Sequence, residues 1–115
     1  TFGGHPVSCA SSLACIEVIE EERLLDAIAE KEALFRKLLV HPKIKSIRGK
    51  GLLLAVEFES KDFNFAVNHE CLLNGVFVDW FLFNDNSLRI APPLIISKNE
   101  IEIACSKIIE AIARI

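Results

Sequence analysis

The sequence predicts an α+β fold: a small, mostly antiparallel sheet with helices packed on one side. Three observations carry this. Apolar residues recur at helical spacing in the N-terminal part, after Asp62 and after Ser97. Between them lie β-branched and aromatic runs broken by glycine, asparagine or proline. The resulting order is helix, helix, strand, strand, helix, strand, strand, helix, which pairs neighbouring strands and stacks helices on them. With 115 residues and 51% hydrophobic content, the chain is long enough to bury one core and short enough to be one domain.

Pro6, after Gly3 and Gly4, is placed to begin the first helix. Residues 7–19 are apolar nearly all round, through Val7, Ala10, Leu13, Ala14, Ile16, Val18 and Ile19, which predicts a helix buried on most of its faces. Glu20, Glu21 and Glu22 form a solvated junction that favours the start of a second helix. That helix sets Leu24, Leu25, Ile28, Phe35, Leu38 and Leu39 on one face, and Glu30, Lys31, Glu32, Arg36 and Lys37 largely on the other. His41 and Pro42 close it.

IKSIRGKGLLLAVEFE reads as two strands interrupted at Gly49 and Gly51. The run Leu52 to Val56 has the form of a central strand covered on both faces. Arg48 to Gly51 resembles a phosphate loop only superficially; no helix start follows, and a turn or bulge between strands is expected. Asp62 is placed to cap a third helix whose face is Phe63, Ala66, Val67 and Cys71, with Asn74 and Gly75 as its stop and His69 on its polar side. Val76 to Phe83 predicts a strand, Asn84 to Ser87 a turn, and Leu88 onward a second strand that Pro92 and Pro93 end. Ser97 with Glu100 makes a capping box, after which Ile101, Cys105, Ile108 and Ile112 recur at helical spacing.

Arg89 is the candidate functional residue. It stands in otherwise apolar surroundings, and its planar fork, which always stays charged, fits a carboxylate through two parallel hydrogen bonds. Its spacing equally suits an edge-strand arginine paired with a neighbouring Asp or Glu.

A net charge of −3 with mixed signs leaves no footprint for nucleic acid or an anionic membrane, and no apolar run approaches the roughly 18 residues a membrane helix needs. Cys9, Cys15, Cys71 and Cys105 lack CxxC spacing and sit among apolar helical residues. They predict buried, reduced thiols in an intracellular, cytoplasmic protein, with neither a disulfide framework nor a metal site. The apolar excess predicts a face covered by the rest of a longer chain or by a partner subunit, and the opening TFGGHP looks cut from a larger protein.

Three segments, in order, resemble the class III pyridoxal-phosphate-dependent aminotransferases, particularly the acetylornithine and ornithine aminotransferase branch. TFGGHPVSCASSLACIEVIEEE resembles that family's T-[FY]-G-G-N-P segment and the long helix after it; IRGKGLLLAVEF resembles the strand pair opening its small C-terminal domain; LRIAPPLIISKNEI resembles its closing strand and helix. His5 stands where the family usually has asparagine. The resemblance implies the C-terminal small domain of a fold-type I transferase, with residues 1–40 a long helical region at the domain junction, residues 41–115 a small α+β domain, and the large cofactor domain absent. It implies that Thr1 hydrogen-bonds the phosphate of pyridoxal 5'-phosphate in the neighbouring subunit of a homodimer, and that Arg89 grips the substrate α-carboxylate.

Amino transfer needs a lysine that bonds the cofactor covalently, and no lysine here lies in a context resembling the family's catalytic segment. Lys31, Lys37 and Lys107 fit solvated helix faces, Lys98 the first turn of the last helix, and Lys43, Lys45, Lys50 and Lys61 turns or strand ends. The chain alone is therefore expected to be inactive. The longer enzyme would pass an amino group from ornithine, acetylornithine or a similar donor to a 2-oxo acid such as 2-oxoglutarate. The alternative is a non-catalytic amino-acid-binding regulatory module, since small α+β domains serve that role too.

Overall fold

An antiparallel sheet in the order β1–β2–β4–β3 organises the molecule, in a computed structural model that describes Thr1 and residues 3–115. Phe2, part of the opening TFGG, lies outside the described residues. The elements are α1 (Pro6–Glu21), α2 (Ile28–Leu38), β1 (Ser46–Lys50), β2 (Leu53–Glu57), α3 (Lys61–Leu73), β3 (Asp79–Phe81), β4 (Asn84–Ile90) and α4 (Lys98–Arg114). The predicted class and element order hold.

Strand alternation divides the sheet into two faces. Leu54 and Val56 of β2 lie opposite Ile90 and Leu88 of β4, and all four are buried against Phe35 of α2, Val67 of α3 and Ile101, Ile108 and Ile112 of α4. The other face carries Ala55, Glu57 and Arg89 and has no helix over it; Leu53 stays 55% exposed there. The central strand is thus covered on one face only, where the apolar run from Leu52 to Val56 led us to expect two.

Helix α1 buries none of its residues, against the expectation of burial on most faces, because none of the described elements lies over it. Arg23 ends it in the left-handed region at φ 50°, and its N–H donates to the Glu20 carbonyl at 3.1 Å. For a residue with a Cβ this conformation costs roughly 1–2 kcal/mol. One 3-10 turn, Leu24–Ala27, follows before α2 begins, so the second helix is shorter than its apolar spacing suggests.

The charged face expected on α2 is put to use rather than solvated. Glu32 and Arg36 clamp the β1–β2 hairpin: Arg36 donates to Glu32 Oε1 (2.9 Å) and to the carbonyls of Ile47 (2.7 Å) and Gly49 (2.9 Å), while Glu32 Oε2 accepts the Gly51 N–H (2.5 Å). Gly49 has φ 119°, and a Cβ there would come within 2.2 Å of the Leu53 carbonyl oxygen, so the hairpin requires glycine. The Gly51 N–H, and then Arg36, hold the Glu32 carboxyl below its ordinary value of 4.5. A depressed carboxylate contributes stability that is fully present above its unfolded pKa and is lost as pH falls through the folded one. Melting curves from pH 7 to pH 3 should therefore show a shallower acid decline in Glu32→Gln than in the unaltered chain; parallel declines would rule out the clamp.

Ser60, rather than Asp62, is the N-cap of α3, its Oγ accepting the Phe63 N–H at 3.2 Å. Asn74 and Gly75 end that helix as expected, and His69 is exposed. The second hairpin departs further from the sequence pattern. Val76 to Val78 are unpaired, β3 holds only Asp79–Phe81, and the turn falls at Leu82 and Phe83, while Asn84 to Ser87 belong to β4. Pairing of Asn84 with Phe81 and of Ser87 with Glu57 outweighs the turn preference of the asparagines. The capping box of α4 is present in both directions, and Ile101, Cys105, Ile108, Ala111 and Ile112 form its buried stripe.

Cys71 and Cys105 are buried, but Cys9 and Cys15 are exposed on α1, contrary to expectation. Burial pushes the Cys71 thiol to about 11, with Glu70 adding to it, and Cys105 to about 12. Thiolate is the reactive form. Alkylation of the native chain at pH 8 should therefore label Cys9 and Cys15 quickly and the other two only on denaturation, as read by mass spectrometry of the digested protein.

Candidate functional site

β4 is an interior strand, flanked by β2 and β3, so Arg89 is not the edge-strand residue its spacing allowed. Leu88 and Ile90 point into the core, which places Arg89 on the uncovered face. The pairing register sets four residues in one row across that face: Arg48 of β1, Ala55 of β2, Arg89 of β4 and Asp79 of β3.

Arg89 Nη2 donates to Asp79 Oδ2 at 2.5 Å, and Asp79 Oδ1 accepts the Trp80 N–H at 2.8 Å. Both side chains are only half-buried, 39% and 36% exposed, so the guanidinium is wetter than its apolar sequence context suggests. An ion pair that exposed contributes at most about 1 kcal/mol, which makes it a tether more than a structural necessity. Farther along the row Arg48 Nη2 forms an ion pair at 3.3 Å with Glu57 Oε2, whose hydrogen bond comes from Ser46 Oγ at 2.8 Å.

Two hollows lie along this row, and Arg89 lines only the first. One, of about 160 Å³, is lined by Asp79, Arg89, Val78, Pro92, Ile96 and Ala104, among others. The other, of about 360 Å³, lies over Ala55 between Arg48, Leu53, Phe81 and Phe83. No lysine lines either of them. Lys31 and Lys107, expected on solvated faces, instead donate to the carbonyls of Leu94 (2.5 Å) and Asn74 (2.7 Å), and Lys98 pairs with Glu30. Thr1 is exposed ahead of α1, and no hydrogen bond among the described residues joins it to Arg89 or Asp79. The two residues singled out by sequence are thus not brought together within this chain.

Asp79 is the residue sequence reasoning missed. Its signal was of the same kind as that of Arg89: one charge inside an apolar and aromatic run, VFVDWFLF, in the strand expected to pair with that of Arg89.

Residues 1–112 match the family described as aminotransferase class-III. The chain belongs to that family. An acetylornithine aminotransferase of Methanosarcina mazei is 40% identical over 89% of the chain, which corresponds to 26% of that protein. A protein of Vibrio splendidus named (R)-1-hydroxy-2-aminoethylphosphonate ammonia-lyase is 37% identical over all of the chain and 26% of its own length. Among solved structures, the ornithine aminotransferase of Toxoplasma gondii superposes with a TM-score of 0.85 at 33% identity, covering 99% of this chain and 28% of that one. The chain therefore spans about a quarter of the length of these relatives, and the antiparallel sheet with its helix layer is the fold it shares with the matching part of the Toxoplasma enzyme.

Proposed function

We propose that the chain is the C-terminal part of a longer pyridoxal-phosphate-dependent aminotransferase, with residues 1–40 at the domain junction and residues 41–115 as the small domain. In this role Arg89 binds the substrate α-carboxylate. One observation above all supports the assignment: an interior-strand arginine on an uncovered sheet face, tethered by Asp79 through one nitrogen only. Asp79 takes one of the two Nη2 hydrogens and Nε and Nη1 have no acceptor among the described residues, so the second Nη2 hydrogen and its neighbouring N–H leave one forked edge that a carboxylate takes up with parallel hydrogen bonds.

The donor set of this chain suits only part of the cofactor's needs. The exposed Thr1 hydroxyl fits a phosphate oxygen, in the neighbouring subunit of a homodimer, but no lysine lines either hollow, and the carboxylate at the first, Asp79, is engaged by Arg89 and the Trp80 N–H. When bound, pyridoxal phosphate supplies an electron sink for the carbon carrying the amino group. Arg89 then fixes the carboxylate on that same carbon, and so its orientation toward the ring. Thr1 would hold the phosphate end.

The amino donor fits ornithine, acetylornithine or a similar amino acid, and the acceptor a 2-oxo acid such as 2-oxoglutarate, in keeping with the name of the Methanosarcina relative. The Vibrio relative supports a second reading, removal of ammonia without an acceptor. Family membership weighs against a purely regulatory amino-acid-binding module. The test compares the purified chain with the longer protein, each given pyridoxal phosphate and an amino donor, with and without 2-oxo acid. Amino transfer is expected from the longer protein only, and only with acceptor. Turnover by the chain alone, or ammonia release without acceptor, would overturn it.

A further inference from the structure

A guanidinium offers two forked edges, and Nη2 is the corner they share. Arg89 gives one Nη2 hydrogen to Asp79, which stands directly opposite it in the register of β3 and β4. That contact takes one edge out of use and leaves the other for a carboxylate. We propose that Asp79 is a positioning residue: it fixes which edge of Arg89 a substrate carboxylate meets, and so the direction in which the rest of the substrate lies. The role deepens, and rests on, the reading of Arg89 as the α-carboxylate site.

Asp79 is itself held. Its Oδ1 accepts the Trp80 N–H at 2.8 Å while Oδ2 takes the arginine, so both oxygens are engaged and the carboxylate does not turn freely. The Trp80 ring in turn meets Phe65 of α3 edge to face, with centroids 5.0 Å apart. The fork of Arg89 is thereby tied to the sheet and to α3, and does not depend on its own flexible side chain for its direction. Asp79 and Arg89 also line one small hollow, of about 160 Å³, with Val78 and Pro92 among its apolar walls. A fork turned within that space aims the bound substrate elsewhere, and a reacting atom misplaced by about 1 Å can cost about a hundredfold in rate. An acid that only balanced the charge of Arg89 would act otherwise. It would repel an incoming carboxylate, and its removal would tighten binding with no loss of rate.

The experiment uses Asp79→Ala in the longer, cofactor-loaded enzyme. It reads kcat for a 2-oxo acid acceptor, kcat for an aldehyde acceptor without a carboxylate, and the inhibition constant of butyrate as an unreactive carboxylate. For the 2-oxo acid kcat should fall at least about tenfold. Butyrate should stay within about threefold, because the loosened fork and the lost repulsion oppose each other. The aldehyde rate should hold, as should the melting temperature, since the paired side chains are 39% and 36% exposed. In an Arg89→Lys background, where no fork is left to orient, adding Asp79→Ala should cost nothing more. An unchanged 2-oxo acid kcat, tighter butyrate without loss of rate, an equal loss with the aldehyde, or a further loss in the Arg89→Lys background would overturn the role of Asp79 alone. If Arg89→Lys itself spared the 2-oxo acid, the reading of Arg89 would fall and this role with it.

Discussion

Replacing Phe58 by alanine is expected to destabilise the chain by about 3–5 kcal/mol, the range for emptying a fully enclosed aromatic site. Phe58 is 0% exposed, its ring meets that of Phe63 edge to face at 5.3 Å, and its N–H donates to the Asn86 carbonyl at 3.0 Å. It follows β2 directly and so ties the central strand to the start of α3 and to β4. Against a typical domain stability of about 5–15 kcal/mol, such a loss leaves much of the population unfolded or near its midpoint. Phe83→Ala serves as the control, because that ring is fully exposed at the hairpin turn, and its removal should change the urea midpoint little. Similar midpoints for the two variants would mean that Phe58 is not in the core.

Most of the helix layer was legible in the sequence because helical spacing and caps are local signals. Ser97 and Glu100 announce α4, and Ile101, Cys105, Ile108 and Ile112 name its buried stripe before any packing is known. The hairpins were less legible. Leu82 and Phe83 have no turn chemistry, and only pairing across the sheet places the turn there in preference to the asparagines that follow. The same limit applies to Glu32 and Arg36, whose i, i+4 spacing looks like a solvated pair until the β1–β2 hairpin is folded against it.

Periodicity also reports burial in whatever surrounds a segment, not only in the segment's own chain. Helix α1 and the uncovered face of β2 are apolar by composition yet open here, consistent with surfaces that a larger assembly would cover. The candidate site was half legible for a related reason. A single arginine in an apolar strand drew attention to Arg89, but its tether to Asp79 depends on strand register, which no local pattern encodes.

The largest functional effect is expected at Arg89, in the longer enzyme. Arg89→Lys keeps a positive charge on the uncovered face and loses the planar fork, so it should not behave as a conservative change. Removing one member of a charge pair in a partly dry site costs on the order of 2 to 5 kcal/mol, or about 30-fold to several-thousand-fold in kcat/KM. The loss should fall on acceptors and donors that present an α-carboxylate, while Asp79, still hydrogen-bonded to the Trp80 N–H, keeps β3 in place and the melting temperature within a few degrees. If Arg89 served only as the partner of Asp79, stability would shift modestly and every substrate would suffer alike. The most direct measurement is kcat/KM of Arg89→Lys for a 2-oxo acid acceptor against an aldehyde acceptor without a carboxylate. Our assignment predicts a loss of at least about 30-fold for the 2-oxo acid with the aldehyde nearly unaffected, and an equal loss for both would contradict it.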